Sequence, residues 1–291
     1  MNPAPFAYHR AGSIEEAIAL LGEHGADGKL LAGGHSLLPV MKLRLAEPAH
    51  LIDITGLPGL RGVHERDGGL EIGALTTHRD LERDPLVVSR AGVLADAASV
   101  VGDRQVRNRG TLGGALAHAD AAADEPAAVL ALGGEIVAVG PNGERTIAAE
   151  EFFLDFLTTS LEPDDVLTAI RIPAQAARSG GAYEKLANQA SGYALVGVAA
   201  VVALDADGRC ASARIGVTGA IASPRRASAV EAALSGGDLD APSIAAAANL
   251  AADGLDLLDD FHASAEYRRR VLVGLTRRAI SRAVERAGSA G

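Results

Sequence analysis

Lys29-Leu30-Leu31-Ala32-Gly33-Gly34-His35-Ser36-Leu37 decides how the chain is read. A short apolar run of strand type passes straight into a Gly-Gly pair, then His and Ser. Upstream, Ser13-Ile14-Glu15-Glu16 is a capping box. Ile14, Ala17, Ile18 and Leu21 then recur at helical spacing and predict a helix from Ile14 to Glu23. Downstream, a helical turn through Met41 and Leu43 and a strand over Leu51–Ile54 are expected. The opening therefore reads helix, strand, glycine turn, helix, strand. Adjacent glycines permit positive φ and carry no Cβ, so backbone amides can converge on an anion. Ser36 adds a hydroxyl donor that can rotate to suit. A second segment, Thr111-Leu112-Gly113-Gly114, has the same ingredients and follows a polar, positive stretch, Gly102–Gly110. Singly, each glycine pair is an ordinary tight turn. Together they predict a phosphate-containing ligand such as a dinucleotide. Neither G-x-G-x-x-G after a strand nor G-x-x-x-x-G-K-[ST] is present, so the Rossmann and P-loop readings have no support.

Working outward, hairpins are expected around Asp67-Gly68 and Pro141-Asn142-Gly143. Helices are expected near Arg79–Leu81, Val93–Val101 and Pro126–Leu132. A strand over Val166–Ile172 is stopped by Pro173, and Gln175–Gly181 is a loop-like boundary. Beyond it lie strands Ala182–Leu186, Tyr193–Leu204 and Cys210–Thr218, then helices Ala227–Leu234, Ser243–Ala252 and Ala265–Ala287. The expected class is α+β. A domain over 1–175, with subdomains 1–57 and 58–175, precedes a domain over 176–291 with a three-stranded antiparallel sheet and helices.

Composition narrows the function. Hydrophobic residues make up 48% of 291, enough for a sizeable core, while aromatics are 3% with no Trp, which disfavours a base-stacking surface. The net charge of -10 repels nucleic acid. Arg268-Arg269-Arg270 and Arg277-Arg278 fall in a helical pattern and read as a solvated face. The single cysteine, Cys210, excludes an internal disulfide and a cysteine-ligated iron–sulfur cluster. Met1–Arg10 has no signal-peptide core, and the longest apolar stretch, Tyr193–Leu204, is too short to span a bilayer. The expected location is the cytoplasm, or the inner membrane face when carried there by partners.

Leu31-Ala32-Gly33-Gly34-His35-Ser36-Leu37-Leu38-Pro39 with Met41-Lys42-Leu43-Arg44 resembles the first flavin motif of carbon monoxide dehydrogenase medium subunits. Gln105-Val106-Arg107-Asn108-Arg109-Gly110-Thr111-Leu112-Gly113-Gly114 resembles the second, and Tyr183-Glu184-Lys185-Leu186 and Gly192-Tyr193-Ala194 resemble later blocks. The resemblance covers nearly the whole chain. It implies a two-subdomain FAD-binding domain of the vanillyl-alcohol-oxidase/PCMH type and a C-terminal flavoprotein domain. It implies noncovalent FAD, with the pyrophosphate held by amides of Ala32, Gly33, Gly34, His35, Ser36 and Leu37 and of Thr111, Leu112, Gly113 and Gly114. His35 is then a loop donor and not a covalent attachment point. By the same resemblance Asp124 contacts the adenosine end; the helix N-cap ahead of Pro126 is its structural alternative. Lys185 lies near the isoalloxazine ring, where a cation favours the reduced, anionic flavin; its alternative is a surface strand lysine. Tyr193 lies against the ring, or is a core strand tyrosine, and Leu167 lines the ring pocket. Asp120-Ala121 stands where the family usually has Asp-Pro.

The resemblance further implies an electron-transfer subunit without a catalytic acid or nucleophile of its own. A small subunit with [2Fe-2S] clusters would feed it. A large subunit would carry the molybdenum cofactor, in a dimer of heterotrimers. Quinone, NAD or oxygen would be the external acceptor, and Arg104, Arg107 and Arg109 could form part of the docking surface for the small subunit. Carbon monoxide, aldehydes, purines and other N-heterocycles all remain open as substrates of such a complex, because recognition sits in the molybdenum subunit. Two other readings stay open at this stage. A stand-alone flavin oxidoreductase of the same fold would need acid–base residues over the ring, and no constellation supplies them. A scaffold that has lost FAD would have no use for intact glycine loops.

Overall fold

The opening strand was not foreseen. β1 (Ala7–Arg10) pairs in parallel with β3 (His50–Asp53), which pairs in parallel with β2 (Gly28–Leu31), giving the order β1-β3-β2. Tyr8-His9-Arg10 lacks an apolar alternation because β1 is an edge strand. The structure, a computed structural model, describes residues 2–289. Met1, Ala290 and Gly291, at the ends of the expected domains, lie outside the described residues. α1 (Ile14–His24) starts where the Ser13 hydroxyl accepts the Glu16 amide at 3.1 Å, and it buries Ala17 and Leu21 on this sheet. α2 (Leu37–Lys42) follows the first glycine loop.

The next unit has β4 (Val63–Arg66) and β5 (Gly69–Gly73), and then six helices in a row. These are α3 (His78–Arg83), α4 (Pro85–Arg90), α5 (Gly92–Ser99), α6 (Arg104–Arg107), α7 (Leu112–His118) and α8 (Glu125–Leu132). β6 (Glu135–Gly140), β7 (Gly143–Ala148), α9 (Ala149–Phe152), β8 (Phe153–Asp155), β9 (Thr158–Thr159) and β10 (Val166–Ile172) complete it. The antiparallel sheet has the order β4-β5-β10-β6-β7. Every residue of α8 is buried. Its sequence is apolar on all sides after Glu125, as a helix enclosed by protein requires.

The last unit has β11 (Ser179–Ala187), β12 (Ala194–Leu204), β13 (Cys210–Thr218) and β14 (Arg225–Arg226), with α10 (Ser228–Leu234), α11 (Ala241–Ala248) and α12 (Ala265–Ser289). The sheet is four-stranded rather than three-stranded. The two-residue β14 has no period to read, and Arg226 holds it through Glu231 and Glu150. Ser179–Gly181, expected as loop, begins β11, because a Cβ on Gly180 would lie 2.2 Å from the Ala283 carbonyl of α12. β12 is apolar on both faces for a physical reason. Ala199 and Val201 pack into the core around α8, while Val198, Ala200 and Val202 pack into the core under α12. Arg268, expected on a solvated face, is buried and donates to the carbonyls of Leu195 and Gly219 and to Asp260.

Candidate functional site

The first glycine loop leaves a sheet and enters a helix, and both events strip backbone N–H groups of partners. Ile54 donates to the Leu31 carbonyl at 3.1 Å, and the ladder ends there. α2 then begins with Leu38 donating to Gly34 at 3.0 Å and Val40 donating to Ser36 at 3.2 Å. Among the described residues, no backbone N–H from Ala32 to Leu37 donates to the rest of the chain. Six consecutive free donors beside a helix start are the donor set a pyrophosphate needs. Gly34 supplies the one left-handed residue of the loop, at φ 73. Gly33 serves differently: a Cβ there would lie 2.2 Å from the Arg109 carbonyl oxygen. Its missing side chain lets the first loop touch the second segment.

That second segment departs from expectation. Thr111 forms a bridge with Thr77, and its hydroxyl accepts the Gly114 amide at 3.2 Å as the N-cap of α7. Leu112 donates to the Thr76 carbonyl at 3.0 Å and Gly113 to the Ala74 carbonyl at 2.9 Å. The amides of Leu112, Gly113 and Gly114 are thus committed within the chain, and neither glycine has positive φ. Gly113 is required because a Cβ would lie 2.6 Å from that of Ala74. The free donors sit in the first loop, and the second segment is its buttress.

His35 is exposed and close enough to Asp103 for its charge to help lower that carboxyl, whose main cause is the bonds from the Val106 and Gln105 amides. The turn carrying Tyr193 closes with Asn188 donating to the Tyr193 carbonyl at 2.8 Å, and Gly192 lies beside Gly102. Tyr193 is 43% exposed. Burial pushes its phenol up, as does Asp120, and the nearby Ser36 hydroxyl pulls the other way. Residues 32–37, 102–111 and 188–193 therefore form one surface. Leu167 is instead buried in β10, in the apolar cluster that holds Leu112 and Leu116.

Asp124 and Lys185 were expected at opposite ends of the cofactor, and the structure places them together. Lys185 Nζ donates to Asp124 Oδ2 at 2.8 Å and to the Val100 carbonyl at 3.1 Å, and the Tyr183 hydroxyl donates to Asp124 Oδ1 at 2.6 Å. Asp124 is 3% exposed and the Lys185 side chain 6%. Each carboxylate oxygen takes one donor from within the chain, and the side chain makes no N-cap bond. Lys185 is neither on the surface nor a free cation. The two residues cannot contact opposite ends of an extended dinucleotide. Burial pushes the Asp124 carboxyl up to about 7, against the pull of Lys185 and with a push from Glu125. Burial and Asp124 also raise the Tyr183 phenol.

A second buried pair was not foreseen. His78 Nδ1 lies 2.5 Å from Glu125 Oε1. Burial pulls the His78 pKa down, but Glu125 outweighs it and the net shift is upward; the same partnership lowers Glu125 against its own burial. His78 also faces Gly110, where a Cβ would lie 2.5 Å from Nε2. The sequence signals that lead to them are the Thr77–Asp80 capping box beside His78 and the place of Glu125 just before Pro126. The docking arginines divide. Arg104 and Arg109 are exposed, whereas Arg107 pairs with Glu82 at 3.2 Å and donates to the Val101 carbonyl.

A row of free amides between a strand end and a helix start is an anion-binding arrangement, and it suits the phosphates of a dinucleotide. Residues 4–175 match the family described as FAD binding domain in molybdopterin dehydrogenase, and residues 181–283 that described as CO dehydrogenase flavoprotein C-terminal domain. The chain belongs to this family of FAD-binding medium subunits of molybdenum hydroxylases. The carbon monoxide dehydrogenase medium chain of Hydrogenophaga pseudoflava is 41% identical over 283 residues, 97% of this chain and 98% of that one. Subunit alpha of the 6-hydroxypseudooxynicotine dehydrogenase complex of Paenarthrobacter nicotinovorans is 37% identical, over 99% of this chain and 97% of that one. The solved carbon monoxide dehydrogenase from H. pseudoflava superposes with a TM-score of 0.95 at 44% identity, covering 98% of this chain and 99% of that one. Quinoline 2-oxidoreductase from Pseudomonas putida 86 does so with a TM-score of 0.92 at 33% identity, covering 99% of each.

Proposed function

We propose that this chain binds FAD noncovalently on the surface formed by Ala32–Leu37, Thr111 and Tyr193 and serves as the electron exit of a molybdenum hydroxylase. The row of unpaired amides from Ala32 to Leu37, held against Arg109 by Gly33, carries this reading. In it the amides and the Ser36 hydroxyl hold the pyrophosphate, and Gly34 turns the backbone toward it. Tyr193 covers one face of the ring, and Leu167 contributes from behind α7. Bound FAD supplies the capacity to take electrons singly and release them as a pair. Asp124, Lys185 and Tyr183 set the position of β11 and the charge beneath the site without touching the adenosine.

The electrons come from outside the chain. Its one cysteine, Cys210, is buried, so [2Fe-2S] clusters belong to a small partner subunit and the molybdenum cofactor to a large one. We place them in a dimer of heterotrimers that delivers to a quinone, NAD or oxygen. The relatives serve complexes named for carbon monoxide, 6-hydroxypseudooxynicotine and caffeine at 33–41% identity. Substrate choice in this proposal therefore lies in the large subunit. Stopped-flow mixing of the FAD-loaded chain with its reduced small subunit tests the role. Bleaching of flavin absorbance that requires the small subunit supports it. Oxidation of the clusters at an equal rate without this chain contradicts it.

A further inference from the structure

His9 on β1, His24 at the end of α1 and His50 at the start of β3 each offer a ring nitrogen, and the three lie within 4.8 Å of one another. The topology gathers them. Ala7 and Gly28 flank His50 in the parallel sheet, and His24 precedes the turn that leads into Gly28. Gly28 admits His24 to the sheet, since a Cβ there would lie 3.2 Å from the His24 Cβ. His9 Nε2 and His50 Nδ1 are 3.0 Å apart. The rings of His24 and His50 stack at 3.7 Å between centroids, tilted by 8°. His24 Nε2 is buried and has no partner among the described residues.

We propose that these three imidazoles bind one transition-metal ion of the zinc class. Imidazole is the ligand that zinc, copper and nickel share. Nitrogens on one tetrahedral zinc stand about 2.0–2.1 Å from the ion, hence about 3.4 Å from each other. From a spread of up to 4.8 Å the nitrogens need to draw in by no more than about 1.4 Å, with His24 turning out of its stack so that a lone pair faces the ion. The unpaired His24 nitrogen gains a partner, and the hydrogen bond between His9 and His50 is replaced by two ligand bonds. The negative end of the α1 dipole lies at His24 and favours a cation. The site sits where β2 begins, at Gly28, whereas the glycine loop follows the other end, at Leu31. Its role is a clip on the first subdomain, separate from flavin binding.

The test uses the full, tag-free chain, stripped with a chelator and titrated with Zn2+ against a chromophoric zinc indicator. We expect one ion per chain and an upward shift in Tm. His24→Gln and His50→Ala should lose affinity by roughly a hundredfold or more, since even outer-shell changes cost 10–100-fold. His64→Ala, an exposed histidine outside the cluster, should bind as wild type does. Circular dichroism of each variant separates ligand loss from unfolding, and Co2+ should give the visible bands of a nitrogen-bound ion. Stoichiometry below one in wild type, or equal affinity in His24→Gln, overturns the proposal.

Discussion

At Gly33 one methyl group decides whether two distant segments meet. Gly33→Ala would drive a Cβ into the Arg109 carbonyl, a contact of 2.2 Å that backbone must move to relieve. The expected cost is about 1–3 kcal/mol, together with loss of FAD from the purified chain; urea unfolding and flavin content measure the two. The Gly-Gly pairs were legible because few residues suit such positions, but their separate reasons were not. Gly33 and Gly113 are glycines for close packing, and only Gly34 for its φ. Asp124 and Lys185 were both singled out from the resemblance, yet nothing in their spacing showed that they bond each other. Asp124→Asn leaves the Lys185 ammonium buried without its counter-ion and should cost roughly 3–5 kcal/mol. Its pH dependence has a definite sign. Asp124 titrates at about 7 in the fold against an ordinary 3.8, so between those values the folded chain binds more protons than the unfolded one. Stability due to this group therefore falls as pH rises through that window and levels off above it. The difference in unfolding free energy, wild type minus Asp124→Asn, should decline from about pH 5 to about pH 7. A difference that grows over that range contradicts the assignment.

Elements with a strong period or a cap were readable, and elements held by tertiary contacts were not. The N-cap at Ser13, the continuous apolar run of β12 and the strand Cys210–Thr218 stand where sequence placed them, although the Glu16 carboxylate reaches the Gly12 amide and not that of Ser13. β1, α4, α6 and β14 are four to six residues or fewer, exist through their neighbours, and escaped notice. The second glycine segment is tied into the fold by its own amides, which sequence did not show, because a Thr that caps a helix and a Thr that binds phosphate look alike there. Thr111→Ala removes the bond to the Gly114 amide and should destabilise α7 by about 1 kcal/mol, with Thr111→Ser close to wild type. The junction between β13 and the 119–124 loop offers a second check. Thr218 Oγ1 lies 2.7 Å from the carbonyls of both Ala121 and Ala123. Thr218→Val should cost about 1–3 kcal/mol through the unpaired Ala123 carbonyl and should speed amide exchange at Gly219, which donates to Ala121 at 2.6 Å.

For the whole molecule, composition set the class of partner before any contact was known. Net charge of -10 and a single cysteine point away from nucleic acid and away from resident iron–sulfur clusters. Among the described residues no helix is long and apolar enough to cross a membrane. Assembly should depend on the exposed Arg104 and Arg109 and not on Arg107, which is occupied by Glu82. An Arg104→Glu, Arg109→Glu double variant should lose co-elution with the small subunit while keeping its own fold by circular dichroism; unchanged co-elution removes these residues from the interface. The central claim is the flavin site, and a visible spectrum tests it most directly. The purified chain is mixed with FAD, freed of excess by gel filtration, and then treated with acid. The account predicts oxidised-flavin absorbance at one FAD per chain, released by acid, and absent in Gly33→Ala. A colourless chain, both alone and with its small subunit present, would return the glycine loops to ordinary turns.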